Sequence, residues 1–104
     1  MGFFSSLFGG GSSVDVKSII ENGAIIIDVR TLGEFSGGHV KGSVNIPLDK
    51  IQGNIAKIKA YKKPIIVCCA SGMRSSNAKR VLTKNGLEEV YDGGSWMSIN
   101  RQIS

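Results

Sequence analysis

The sequence predicts an α/β fold, a small domain with a central, mostly parallel sheet flanked by helices on both faces. Short apolar, largely β-branched runs alternate along the chain with segments whose apolar residues recur at helical spacing. Such alternation is the pattern of a parallel sheet whose crossover helices cover it. The length, 104 residues, suits one domain with one core.

The elements follow in order. Ser13 is the expected N-cap of a short helix carrying Val14, Ile19 and Ile20, stopped by Asn22-Gly23. Ala24 to Val29 reads as a buried strand ending in Asp28-Val29-Arg30. Glu34 to Gly42 is Gly-rich and expected to be turn-like, and Val44 to Ile46 is a second strand stopped at Pro47. Leu48, Ile51, Ile55 and Ile58 share a face at helical spacing, predicting an amphipathic helix over Leu48 to Ala60. After Pro64 comes Ile65 to Cys69, the most strand-like run in the chain. A helix is predicted from Ser75 to Asn85, with Ala78, Val81 and Leu82 inward and Gly86 closing it. Glu89 to Tyr91 is a last short strand, Gly93-Gly94 a turn, and the tail from Ser95 a helix around Trp96.

Composition narrows the function classes. Hydrophobic residues make up 41% and charged residues 20%, the balance of a globular chain. The net charge of +5 comes from scattered Lys residues without interleaved aromatics, so a solvated basic surface is expected and nucleic acid is not. No segment approaches the ~20 apolar residues that span a bilayer. Residues 1–13, rich in Phe, Gly and Ser, are expected to be a flexible leader ahead of a domain at 14–104. Phe3, Phe4, Leu7 and Phe8 could form one face of an interfacial helix, but membrane contact is not expected. The two cysteines, Cys68 and Cys69, are adjacent and point to opposite faces of a strand. They therefore suit neither a disulfide nor a metal site, and free thiols fit a reducing, cytoplasmic setting.

In parallel sheets, sites form at the carboxyl ends of strands, and Cys69 stands at one. The segment Cys69-Ala70-Ser71-Gly72-Met73-Arg74 joins a buried strand to a helix. The helix N-terminus offers free N–H groups and partial positive charge. A loop of small residues, freed by Gly72, can turn its N–H groups inward around an anion. Arg74 adds a permanent charge. A thiol placed there has a lowered pKa. From this context alone Cys69 is either a reactive thiolate or a small core residue, whereas Cys68, inside the strand, reads as core.

Cys69, Gly72, Arg74, Ser75, Ala78, Leu82, Gly86 and Gly93-Gly94 with Trp96 resemble the C-terminal half of a rhodanese domain. Asp28-Val29-Arg30, Glu34, Gly38-His39-Val40, Gly42-Ser43 and Asn45-Ile46-Pro47 resemble its N-terminal half. The resemblance runs from about Asp15 to the end and favours the reactive reading of Cys69. It implies a six-residue active-site loop, Cys69 to Arg74, in a single-domain sulfurtransferase. Cys69 would take a sulfane sulfur from thiosulfate or a similar small anionic donor and pass it, as a persulfide, to a thiol or to cyanide. No metal or organic cofactor is implied, and a monomer is expected. Backbone N–H groups of Ala70 to Arg74 would form the anion pocket, with Arg74 attracting the donor. The other enzyme alternative is a Cys-based phosphatase or arsenate reductase, but phosphatases related to this fold have a loop one residue longer, so the spacing here fits one sulfur atom better than a phosphoryl group. A non-catalytic persulfide carrier serving a partner protein is the alternative of a different class.

Four further residues complete the expectations. His39 reads as structural rather than as a general base. Asp28 and Arg30 read as a charge pair or loop anchor, with Arg30 the better candidate of the two for touching substrate. Trp96 is expected to pack the last helix onto the sheet.

Overall fold

The computed structural model describes residues 15–104. The leader at 1–13 and the proposed cap at Ser13 lie outside the described residues. Helix α1 (Val16–Glu21) is capped instead by Asp15, whose carboxylate accepts from Ser18 N–H at 3.2 Å. Strand β1 (Ile25–Asp28) follows, then α2 (Leu32–Ser36) and β2 (Val44–Asn45). Two short 3₁₀ turns, Leu48–Lys50 and Gln52–Asn54, lead into α3 (Ile55–Ala60). The chain closes with β3 (Ile65–Cys69), α4 (Met73–Lys84), β4 (Val90–Ser95) and α5 (Trp96–Ile103).

The four strands form one sheet in the order β2-β1-β3-β4, and every pairing is parallel, as expected from the alternating pattern. Side-chain alternation along β3 divides the core in two. Ile65, Val67 and Cys69 pack on one face with Ile58 of α3 and Ala78 and Leu82 of α4. Ile66 and Cys68 pack on the other with Val16 of α1 and Ile99 of α5. Because both faces are covered by helices, β3 is buried at every residue, which is why it reads as a continuous apolar run.

Four local expectations need correction. The stretch predicted to be turn-like from Glu34 begins as α2, which is nucleated by a capping box. Thr31 Oγ1 accepts from Glu34 N–H at 3.2 Å, and Glu34 Oε1 accepts from Thr31 N–H at 3.0 Å. The single helix expected over Leu48 to Ala60 is broken into the two 3₁₀ turns and α3. Asn54 leaves helical geometry at φ −116°, next to Gly53, a poor helix former. Its apolar spacing nonetheless holds, with Ile51 and Ile58 buried and Leu48 and Ile55 packed beside them. Helix α4 starts two residues earlier than predicted and ends in a Schellman motif. There Asn85 takes the cap position, Gly86 follows at φ 97°, and Leu87 N–H reaches Leu82 O at 3.1 Å. Finally, Gly93-Gly94 is no turn. Both lie within β4, where Val67 pairs with Asp92 and Cys68 with Gly94, so Gly93 is the extra residue of a bulge. A Cβ there would stand 2.7 Å from Ile99 Cδ1 and 3.0 Å from Ile66 Cγ2, so the close packing of α5 on the sheet requires glycine.

Candidate active site

Cys69 is the last residue of β3 and lies at the carboxyl edge of the sheet, paired with Ser95 of β4. The chain turns sharply at Gly72, whose φ of 103° places it in the left-handed region, and enters α4 at Met73. This turn points backbone donors at the sulfur: Sγ accepts from Gly72 N–H at 2.9 Å and from Ser75 N–H at 3.3 Å. Gly72 lies within the expected span of N–H donors, and Ser75 extends it by one residue. Burial by itself pushes the Cys69 thiol up, but hydrogen bonds from Ser75 and from the N–H groups of Gly72 and Ser71 outweigh it and hold the pKa below the ordinary value. The N-terminal end of the twelve-residue α4 adds its dipole in the same sense. The exposed side chains of Ala70, Ser71 and Met73 leave the backbone to do this work.

Cys68 is the opposite case. It is fully buried against the other helical layer, and burial, with the Asp28 carboxylate as a second cause, pushes its thiol up to about 12. Two adjacent thiols thus differ in ionisation because strand alternation gives them different surroundings.

Ser75 was not among the predicted site residues, nor was Asp92. The buried Ser75 hydroxyl lies 2.7 Å from Asp92 Oδ1 and 3.1 Å from Gly72 O. It has one proton, and the charged carboxylate at the shorter distance takes it in preference to the sulfur. Asp92 Oδ1 also accepts from Gly94 N–H at 2.9 Å, an arrangement the Gly93 bulge makes possible. The sequence signals were Ser75 directly after the loop and an Asp followed by two glycines. Their proximity follows from the pairing of β3 with β4.

Arg74, expected to add a permanent charge that attracts the donor, has a carboxylate partner. Its guanidinium forks onto Glu34, with Nη1 to Oε1 at 2.8 Å and Nη2 to Oε2 at 3.0 Å. This bidentate bond, with Thr31 N–H on the same carboxylate, lowers the Glu34 carboxyl to about 2. The pair joins the first turn of α4 to α2.

Asp28 and Arg30 form a buried ion pair, Nη2 to Oδ2 at 2.8 Å. Arg30 also donates to Gly38 O at 2.7 Å and Glu34 O at 3.3 Å, and its guanidinium lies 4.7 Å from the centre of the Trp96 ring. At 4% exposure, and with its guanidinium committed to these contacts, Arg30 anchors the α2 segment, which is the structural role preferred from sequence. His39 donates its Nδ1–H to Phe35 O at 2.8 Å and stacks on the Phe35 ring at 3.7 Å, so its ring braces the turn.

Among the described residues, no three His, Cys, Asp or Glu side chains gather to hold a metal ion, and no helix is long and apolar enough to cross a membrane. A cleft of about 420 Å³ bordered by Lys59, Lys62, Lys63, Glu88 and Glu89 lies at the amino ends of β3 and β4, away from Cys69.

Residues 12–98 match the family described as Rhodanese-like domain. The chain is 41% identical over 69 residues to the uncharacterized protein YqhL of Bacillus subtilis, a match covering 66% of this chain and 54% of that protein. It thus spans about half the length of that relative. It is 35% identical over 80 residues to the thiosulfate sulfurtransferase GlpE of Pseudomonas savastanoi pv. phaseolicola, covering 75% of this chain and 74% of that one. Among solved structures it is similar to a rhodanese with anions from E. coli, at a TM-score of 0.67 and 32% identity over 72% of this chain and 89% of that one.

Proposed function

The chain belongs to the rhodanese-like domain family, and from that premise we propose that it is a sulfurtransferase that works through a persulfide on Cys69. One observation carries the reading. A thiol at the carboxyl edge of a parallel sheet accepts N–H groups from Gly72 and Ser75 and is held below its ordinary pKa.

The thiolate attacks the outer sulfur of a sulfane donor. A new S–S bond forms on Sγ, the donor's bond to that sulfur breaks, and its electron pair leaves with the sulfite of thiosulfate. The persulfide is itself an anion, and the inward N–H groups suit it without a proton donor. An acceptor thiolate, or cyanide, then attacks the outer sulfur and releases Cys69 as thiolate. A thiol held below its ordinary pKa yields its thiolate more readily and leans less on a general base, in keeping with the bracing role of His39. Two free thiols suit a reducing, cytoplasmic setting.

Incubation with thiosulfate should add one sulfur atom to the intact protein by mass spectrometry, and Cys69→Ser should abolish that gain. If the wild type gains no sulfur from any sulfane donor, the reading fails. A persulfide that forms but never passes to thiols or cyanide would make the domain a carrier instead of a turnover enzyme.

A further inference from the structure

The cation that ends the loop, Arg74, is already matched by a carboxylate. Both terminal nitrogens of Arg74 are bound by Glu34, forty positions earlier in the chain. Glu34 is in turn held by the Thr31 N–H at 3.0 Å and the Thr31 hydroxyl at 3.1 Å. The fork is fixed at both ends, so an approaching anion meets a neutral pair. Arg74 also walls a groove of about 340 Å³ whose other sides are Val29, Thr31, Pro47, Leu48 and Asp49. That groove offers apolar surface and a second carboxylate beside the loop, conditions that suit an organic group better than a second negative charge.

We propose that Glu34, by neutralising Arg74, sets the donor selectivity of the Cys69 site toward organic donors of single charge, such as thiosulfonates, and away from the thiosulfate dianion. This inference rests on the sulfurtransferase reading. Both donors react alike at sulfur. The Cys69 thiolate bonds to the outer sulfur, and the S–S bond of the donor breaks with its electron pair going to a sulfinate or to sulfite. Each reaction conserves charge, so the two donors differ in the charge the mouth must accept and in the organic group. Glu34 contacts neither donor and acts through Arg74 as a positioning residue.

The test compares persulfide formation from methanethiosulfonate and from thiosulfate, as kcat/KM at low and high salt, in the wild type and three variants. Glu34→Gln keeps an oxygen for the Thr31 N–H while freeing the Arg74 charge. It should raise the ratio of thiosulfate to thiosulfonate use on the order of threefold, as one added unit charge several ångströms away does in a high dielectric. It should also steepen the salt dependence for thiosulfate. Arg74→Gln leaves Glu34 unmatched and should lower the ratio below that of the wild type. The double variant should return it toward the wild-type value.

If Glu34 serves only to cap α2, each variant will slow both donors alike and leave the ratio unchanged, which overturns the proposal. Should Glu34→Gln unfold the domain, the wild-type salt dependence still decides: a thiosulfate rate that falls with salt more steeply than the thiosulfonate rate would show an unneutralised charge at the mouth and overturn the proposal. A wild type that forms no persulfide from either donor would instead sink the sulfurtransferase reading.

Discussion

The Ser75 hydroxyl and the Asp92 carboxylate meet at 2.7 Å, tying the first turn of α4 to β4 beneath the loop that holds Cys69. The same turn presents the Ser75 N–H to Sγ at 3.3 Å. One residue therefore fixes the position of a helix and supplies a donor to the sulfur. Its side chain does the first and its backbone the second.

Replacing Ser75 with Ala separates these roles. The N–H survives, but α4 loses its tie to Asp92, and the carboxylate keeps only the Gly94 N–H among its described partners. Stability should fall by about 1–2 kcal/mol in denaturant unfolding. The Cys69 pKa should rise toward the ordinary thiol value, seen as a shift of the alkylation rate profile to higher pH. An unchanged profile would show that the backbone fan holds its shape without the tie.

Cys68 should be silent in chemistry and visible in stability at high pH. Its folded pKa, about 12, lies above the ordinary 9.0. The neutral thiol is thus favoured by folding, and its contribution is fully present below pH 9. As pH rises from 9 toward 12 the unfolded chain loses this proton while the folded one keeps it, so unfolding free energy falls by about 1.4 kcal/mol per pH unit. Cys68→Ala should remove that slope relative to wild type and leave persulfide formation intact. Loss of persulfide in Cys68→Ala would overturn its assignment to the core.

The Gly93 bulge can be tested by adding one methyl group. In Gly93→Ala the new carbon would stand 2.7 Å from Ile99 Cδ1 and 3.0 Å from Ile66 Cγ2, so the buried Ile99 side chain or the backbone beside it must give way. A loss of about 1–3 kcal/mol is expected in thermal or denaturant melts. Because the bulge sets the path of the chain at Asp92, a drop in persulfide formation should accompany it.

How legible all this was depends on the range of the interaction. The parallel sheet followed from the alternating pattern, whereas local pattern left Cys69 open between reactive thiol and core, and the family resemblance set it apart from Cys68. Local chemistry was also readable at α2, since Thr31 and Glu34 stand at capping-box spacing, but the surrounding glycines masked it. The Leu48–Ala60 error has the same root: spacing reports which side chains face inward, and Gly53 decides whether the backbone can stay helical between them. What the sequence could not reveal were partnerships across distant segments. Glu34 reaches Arg74 and Asp92 reaches Ser75 only because strand order brings those elements together, and no local pattern encodes either distance.

The tie between Ser75 and Asp92 also has a consequence for the order of synthesis. Cys69 and its loop leave the ribosome before Asp92 does, and the carboxylate arrives together with the strand that pairs with β3. A nascent chain ending short of β4 carries the thiol without its anchored helix. The anchored first turn of α4 therefore belongs to the finished domain, and an incomplete copy lacks the carboxylate that holds it.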